Sequence, residues 1–397
     1  MSADGFGGTP RGVGGSVLEI ERMVGMGDAD GRQLETKSSR TLPAGTTIIS
    51  ADSHWFEGDL WVDRFPAHLK HKAPRVFYED GGWMVEIEGR RLLTSGASKA
   101  LNVFENIEGF RDVDVRLREL DAEGVDKELL FFQKFGHLVF LEDLAVKDLC
   151  VRAYNQGLAE FCAKGQGRLK GVAVLNWWDE DATVDALAEI KELGHPAVVI
   201  PKSPGKHRDG SPVDYGGQRM EKFWTAIEAS GLVVCFHTGE KPFENLASSR
   251  GVAGEHMMNG LNGLREVWAK MVFSGLFDRN PTLKMGFFES GLHWVPGALQ
   301  EADMICESVP AMMQPKLAHP ASYYWYRNCF ASFMVDPAGL ALIDRIGVDN
   351  AMWASDYPHT EGTRSYTRSS VNAVFDALSE EDAKKVVGGN AAKMFGF

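Results

Sequence analysis

Cysteine is scarce in this chain of 397 residues: there are five, and no two stand in a C-x-x-C pair. Cys150, Cys162, Cys235, Cys306 and Cys329 are scattered and odd in number. That argues against a disulfide framework and against a thiolate zinc site, and leaves buried reduced thiols as the reading. Positive charge is also in deficit, with 42 Lys and Arg against 55 Asp and Glu, a formal charge of −13. Such a field repels phosphate backbones and anionic lipid, so neither nucleic acid nor a membrane surface is expected as a partner. No uncharged apolar run approaches the ~18 residues that a membrane span needs. The opening MSADGFGGTPRGVGGS has neither the basic start nor the apolar core of a signal peptide, so the expected location is the cytoplasm. No repeat of solenoid length occurs either.

What is present is the balance of a globular enzyme-sized protein, 44% hydrophobic and 24% charged. Residues 1–45 are Gly-rich and polar without a sustained period, and read as a flexible arm. Residues 46–397 read as one unit in which short β-branched and aromatic runs alternate with segments of helical period. The runs are TIIS (47–50), ELLFF (128–132), LKGVAVL (169–175), PAVVI (196–200), LVVCFH (232–237), KMGFFE (284–289), NCFASF (328–333) and NAMWAS (350–355). Segments 182–193 and 219–230 carry amphipathic helical spacing, and 337–347 starts on Pro337 and stops on Gly347. Eight strand–helix units predict a (β/α)₈ TIM barrel. An open doubly wound sheet is the alternative, but the Gly-rich phosphate loop usual after its first strand is missing. An excursion from about residue 55 to 120 follows the first strand. Its D-G-G turn within RVFYEDGGWMVEIEGRRL (75–92) predicts a β-hairpin over the active-site face. Residues 203–218 predict a shorter loop on that face.

In such a barrel the carboxyl ends of the strands converge, and their residues are informative. The first strand leads into Asp52-Ser53-His54, the fifth into His237-Thr238-Gly239-Glu240, the sixth into Glu289-Ser290-Gly291 with His293 following, and the eighth into Ser355-Asp356-Tyr357-Pro358-His359. Side chains two apart on a strand share a face, so Asp52 and His54 can both point inward, and Cys235 and His237 likewise. Nitrogen and oxygen donors without thiolate suit Zn²⁺, Mn²⁺ or Fe²⁺, with a position left open for water.

Four stretches, IISADSHWFEGDLWVDRFP, RLRELDAEGVDKELLF, FFESGLHWVPGALQEAD and DNAMWASDYPHTEGT, resemble the amidohydrolase-related (amidohydrolase 2) family. This is the branch of the metal-dependent amidohydrolase superfamily related to aminocarboxymuconate-semialdehyde decarboxylase and γ-resorcylate decarboxylase. The likeness runs from about Thr46 to Phe397. It implies a TIM barrel holding one divalent ion, zinc or manganese, on Asp52, His54, His237 and Asp356. It also implies decarboxylation of an unsaturated or aromatic acid, hydrolysis or hydration. The chain departs from the decarboxylases at Glu289, where they carry histidine, at Asp52, where they use histidine or glutamate, and at His293. The last lies four residues beyond Glu289, so one helical turn would make the two a carboxylate–imidazole pair.

The expected activity is that of a metal-dependent lyase or hydrolase on a small carboxylic acid or carbonyl compound, with decarboxylation favoured. Asp356, Glu289 and His293 are the candidate acids and bases. One alternative is a dinuclear oxygenase containing iron, drawing on the further donors Glu57, Glu240 and His359. The other is a catalytically inactive structural subunit. Lys202 reads as a substrate-facing or exposed lysine, or in other branches of the superfamily as a carboxylated bridge between metals. Arg75, Arg116 and Arg118 read as surface ion pairs before a carboxylate clamp, and Trp177 or Trp178 as a core residue or a stacking platform. The resemblance implies oligomerisation, as a homodimer or with a related subunit, and PASYYWYRNCF (320–330) offers candidate anchors.

Overall fold

The computed structural model describes residues 41–58, 60–79, 82–91, 106–239, 254–255, 258–259 and 262–397. The arm expected at 1–45 therefore falls almost wholly outside the described residues. Eight parallel strands form one sheet: β1 (Ile49–Trp55), β5 (Lys127–Phe132), β6 (Leu169–Val174), β7 (Ala197–Val199), β8 (Val233–Phe236), β9 (Met285–Phe287), β10 (Cys329–Phe333) and β11 (Ala351–Trp353). Each expected run carries one of them, and their spatial order is their chain order, as a TIM barrel requires. Strands such as Val-Val-Cys-Phe in β8 are buried at every residue because helices cover them outside and side chains fill the barrel inside.

Helices α1 (Val113–Glu123), α2 (Leu144–Ala163), α3 (Thr183–Glu192), α4 (Glu221–Ser230), α5 (Asn262–Phe273), α6 (Val295–Ser308), α7 (Ala321–Asn328) and α8 (Thr367–Ala377) lie between or after the strands. Their ends follow from local chemistry. The Asp112 carboxylate accepts the N–H groups of Asp114 and Val115 to start α1, and Gly124 stops it at φ 73°. Phe223, Trp224 and Ile227 form the buried stripe of α4. The helix expected over 337–347 is two short turns, Pro337–Ala341 and Ile343–Ile346, broken at Leu342.

β1 differs from the expectation. It starts two residues later and continues through Asp52-Ser53-His54 to Trp55, so the polar residues lie within the strand. Its pairing with β5 shifts register between Ser50 and Ser53. The seam between β1 and β11 carries no continuous ladder. It is closed by the bridge Ser53–Tyr357, by Asp356 N–H to Asp52 O at 2.9 Å, by His54 N–H to Tyr357 O at 2.7 Å, and by the hydroxyls of Ser50, Ser53 and Ser355.

The expected hairpin is present as β2 (Arg75–Glu79) and β3 (Gly82–Ile87), extended by β4 (Arg90–Arg91) into a three-stranded antiparallel sheet. Val76, Val85 and Ile87 are buried beneath it. The Glu88 carboxylate accepts the N–H groups of Glu142 and Asp143, which ties the hairpin to the chain beyond β5.

Candidate metal centre

Three strands bring the predicted ligands together. Asp52 Oδ1 lies 3.2 Å from His237 Nε2 and 3.8 Å from His54 Nε2. His54 Nε2 in turn lies 3.1 Å from Asp356 Oδ1. Donor atoms of Asp52, His54 and His237 all fall within 4.8 Å of one another, and Asp356 meets this triad at His54. All four are buried.

Which nitrogen of each ring faces inward follows from the other nitrogen. His54 Nδ1 lies 2.8 Å from Phe132 O, and His237 Nδ1 lies 3.1 Å from Thr238 O. A carbonyl only accepts, so Nδ1–H donates in both and Nε2 is turned to the carboxylates. Asp52 Oδ2 and Asp356 Oδ2 are buried and find no hydrogen-bond donor among the described residues. Two buried carboxylate oxygens without donors, facing two imidazole nitrogens, fit a divalent cation better than they fit a dry interior.

Without an ion, carboxylates and imidazoles of the cluster set one another's charge. Burial holds His54 below its ordinary value, reinforced by the positive charge of His359. Burial opposes charge on His237 as well, but Asp52 and Glu289 overcome it and raise that imidazole to about 9. His359 is raised to about 10 against the effect of burial, by the charge and hydrogen bond of Asp356. Burial pushes the Asp356 carboxyl up, yet His359 and His54 together hold it below the usual range. Glu289 is pushed up to about 7 by burial and by the neighbouring Asp356.

Glu289 and Asp356 both have positive φ, 52° and 51°, where a residue with a Cβ is uncommon. Such backbone strain clusters at functional sites. The Glu289 carboxylate accepts the Thr238 hydroxyl and stands 3.7 Å from His237 Nδ1.

The expected Glu289–His293 pair is not formed. The chain after β9 turns at Gly291 (φ 64°), and the Asp336 carboxylate takes the backbone N–H groups of Leu292 and His293 at 2.6 and 2.9 Å. The His293 ring, half exposed, follows to Asp336 at 3.2 Å.

Glu57 is not at the centre either. Its buried carboxylate accepts the N–H groups of Gln133, Lys134 and Phe135. Glu240 lies outside the described residues. Lys202 runs past Gly263 at the start of α5.

Arg116, read as a surface pair, is instead 1% exposed and bonded to Glu128 at 2.6 Å, with its guanidinium 3.6 Å from the Tyr357 ring centroid. Arg75 and Arg118 are exposed. Trp177 and Trp178 are buried edge to face with Lys147 Nζ 4.8 and 4.7 Å from their rings, so neither offers a stacking face. Cys235 is fully buried, and burial first and the nearby Asp52 charge second raise its thiol.

Three participants escaped the sequence reading. Glu361 brings a carboxylate within 4.8 Å of Glu289 and Asp356. Thr238 and Gln133 also reach in, and Gln133 directly follows the second barrel strand. Reading strand ends for amides as well as for metal donors would have found it.

A family model described as amidohydrolase matches residues 111–397. The chain belongs to the amidohydrolase family. It is similar to a gamma-resorcylate decarboxylase of Rhodococcus jostii (strain RHA1), 27% identical over 305 residues, or 71% of this chain and 87% of that protein. Among solved structures, an amidohydrolase of Mycobacterium avium subsp. paratuberculosis K-10 superposes with a TM-score of 0.71 at 17% identity, covering 89% of this chain and all of that one. A dihydroxybenzoic acid decarboxylase of Polaromonas sp. JS666, solved with manganese and the inhibitor 2-nitroresorcinol, gives 0.62 at 19% identity, covering 88% and 97%. This amidohydrolase-family chain is therefore a metal-dependent enzyme, which removes the inactive-subunit reading.

Proposed function

We propose that the chain is a metal-dependent carboxy-lyase for a small aromatic acid bearing a hydroxyl beside its carboxylate. The relative from Rhodococcus jostii and the manganese-bound neighbour are both named as decarboxylases, which favours this over hydrolysis of a carbonyl compound. The observation that carries the reading is Glu289, a carboxyl poised at about 7 beside the donor cluster.

Asp52, His54, His237 and Asp356 would hold the ion. Manganese is favoured by the neighbour's metal and zinc by the mixed imidazole–carboxylate set. Such an ion supplies a positive anchor for the substrate's carboxylate and adjacent hydroxyl. Glu289 then gives its proton to the ring carbon that bears the carboxylate: the Glu289 O–H bond breaks and a C–H bond forms. The bond to the carboxylate breaks next, its electron pair restores the aromatic ring, and CO₂ leaves. Glu289 regains a proton from water. Asp356, held ionised by His359 and His54, keeps negative charge beside Glu289 and so keeps its pKa near neutrality.

The five free cysteines fit a reducing compartment, and among the described residues no helix is long and apolar enough to cross a membrane; we place the enzyme in the cytoplasm. The exposed Tyr323 and Tyr326 of α7 suit contact with a second copy.

A second reading, a dinuclear oxygenase, draws on the clustered oxygens of Glu289, Asp356 and Glu361. It assigns Glu289 to a cation and not to a proton. The chain, stripped of metal and reloaded with Mn²⁺, should bind one ion and release CO₂ from 2-hydroxybenzoates, with one deuterium entering the ring in D₂O. One bound ion without CO₂ from any member of such a panel would overturn the lyase reading, and two ions with oxygen uptake would favour the oxygenase.

A further inference from the structure

We propose that Phe132 is the wall against which the ring of an aromatic substrate packs, and that Gly136 keeps this wall in place. The proposal deepens the reading above and rests on it. Phe132 ends β5 at the face where the metal donors converge, and its carbonyl oxygen lies 2.8 Å from His54 Nδ1. Among the described residues two phenyl rings reach the ring of His237: Phe131 at 4.9 Å between centroids and Phe132 at 6.3 Å. Phe131 is fully buried and meets Phe288 at 4.7 Å, so no surface of it is left for a ligand. Phe132 is partly exposed.

An apolar ring partly open to solvent beside buried carboxylates and imidazoles gains by being covered, and a planar molecule held at the centre would cover it. Its other aromatic contact, Phe135 at 5.9 Å, is 1% exposed and leads on to Tyr154 of α2. The ring is thus backed by the core while part of it stays uncovered. Trp177 and Trp178, enclosed around Lys147, offer no such surface.

Gly136 lies in the short turn Phe135–Phe140 after β5. A Cβ there would stand 3.1 Å from Phe132 Cε2, so the missing side chain leaves the ring its room. The same Cβ would stand 3.8 Å from Gly239 O, and Gly239 follows β8, three places along the sheet from β5. Turns from strands that are not neighbours thus approach each other across the barrel mouth beside Phe132. The buried Glu57 carboxylate accepts the N–H groups of Gln133, Lys134 and Phe135 and fixes the turn. A wall so fixed needs little ordering when a ligand arrives. It reads the face of a ring, while the ion anchors the carboxylate and hydroxyl, so it favours aromatic over aliphatic acids.

The test uses the full chain loaded with Mn²⁺ and two probes followed by calorimetry. 2-Nitrophenol carries a ring, and its nitro group stands in for the carboxylate without leaving as CO₂; oxalate engages the ion without a ring. Phe132→Ala should weaken 2-nitrophenol by about 2–12-fold, the worth of one aromatic pair, and leave oxalate unchanged. KM for 2-hydroxybenzoate should rise by a similar factor with kcat held within about threefold, the sign of binding lost equally from ground and transition states. Gly136→Ala should weaken 2-nitrophenol as well, since the new methyl displaces the ring. If the alanine variant at 132 fails to fold, Phe132→Leu, which keeps most of the apolar volume, should show the same split between the probes. Wild-type affinity for 2-nitrophenol in the variants at 132, or an equal loss for both probes, would overturn the wall, the second result making Phe132 a support of His54 instead. A wild-type chain that binds 2-nitrophenol with this dependence on Phe132 but releases no CO₂ refutes the lyase reading and leaves the wall standing. One that binds oxalate and not 2-nitrophenol refutes the wall, and one that binds neither refutes the metal centre and the wall together.

Discussion

Replacing Arg116 by methionine tests how the barrel supports the centre. The guanidinium and Glu128 are each 1% exposed and 2.6 Å apart, and the other Glu128 oxygen accepts Ser53 Oγ at 3.0 Å. Removing the cation leaves Glu128 ionised in a dry interior, an error that typically costs about 3–5 kcal/mol. Loss of the contact with the Tyr357 ring adds roughly 0.5–2 kcal/mol. At roughly 2.1 cal/mol/K of unfolding entropy per residue, the 397-residue chain changes by about 0.8 kcal/mol per kelvin, so the stranded carboxylate lowers the melting temperature by about 4–6 °C and the lost ring contact by up to about 2 °C more. The double variant Arg116→Met/Glu128→Leu removes both charges. Ser53 keeps Ser50 and Ser355 as partners, and one guanidinium nitrogen of Arg116 already lacks a hydrogen bond, so little polar pairing is forfeited. The double variant should melt within about 2 °C of wild type or above it, since replacing a buried pair by apolar residues is often neutral or stabilising. Calorimetry of the ion-free chains reads both. A single variant that melts like wild type, or a double variant as weak as the single, would refute the assignment of a buried pair whose worth depends on both members.

Activity should fall as pH rises through about 7, because Glu289 gives its proton only while protonated and loses it above that value; a rate that climbs across the same range in a pH profile would remove Glu289 as the acid. Glu289→Gln should lower kcat by about 10²–10⁴-fold while retaining the bound ion, measured by CO₂ release and elemental analysis together. His293→Ala should leave kcat near wild type, since its ring belongs to Asp336; a hundredfold loss would return it to the chemistry. Lys147 has a folded pKa of about 8 against an ordinary 10.5, so the folded state disfavours its charge fully below pH 8 and not at all above 10.5. Lys147→Met should therefore raise the melting temperature at pH 7, by up to roughly 3 kcal/mol of stability, with the gain shrinking towards pH 10.5.

The fold was legible because parallel strands buried on both faces must be continuous apolar runs, and eight such runs stand between amphipathic segments. The triad was legible for a related reason. Asp52 and His54 lie two apart within β1 and His237 directly follows β8, so local spacing dictates direction. The Glu289–His293 pair was not, since a helical period was assumed where Gly291 turns the chain and Asp336, 43 residues on, captures the turn. Arg116 misled for a similar reason. It lies two residues from exposed Arg118 on α1, and only the placement of Glu128 on β5 makes it interior. Gln133 and Glu57 depend on a backbone turn whose N–H groups leave no mark in composition.

The seam of the barrel has a bearing on how the protein is assembled. First and last strands meet without a ladder, and the bonds that join them among the described residues lie at or beside Asp52, His54 and Asp356. The cylinder cannot shut until the final strand arrives, and the donor set is incomplete until it does. A truncated or half-made chain would lack Asp356 beside the Asp52–His54–His237 cluster, and an ion bound across the joint would act as a rivet. Amide hydrogens of β1 and β11 should exchange faster in the ion-free protein, and slow when it is loaded, while those of β7 and β8 stay unchanged.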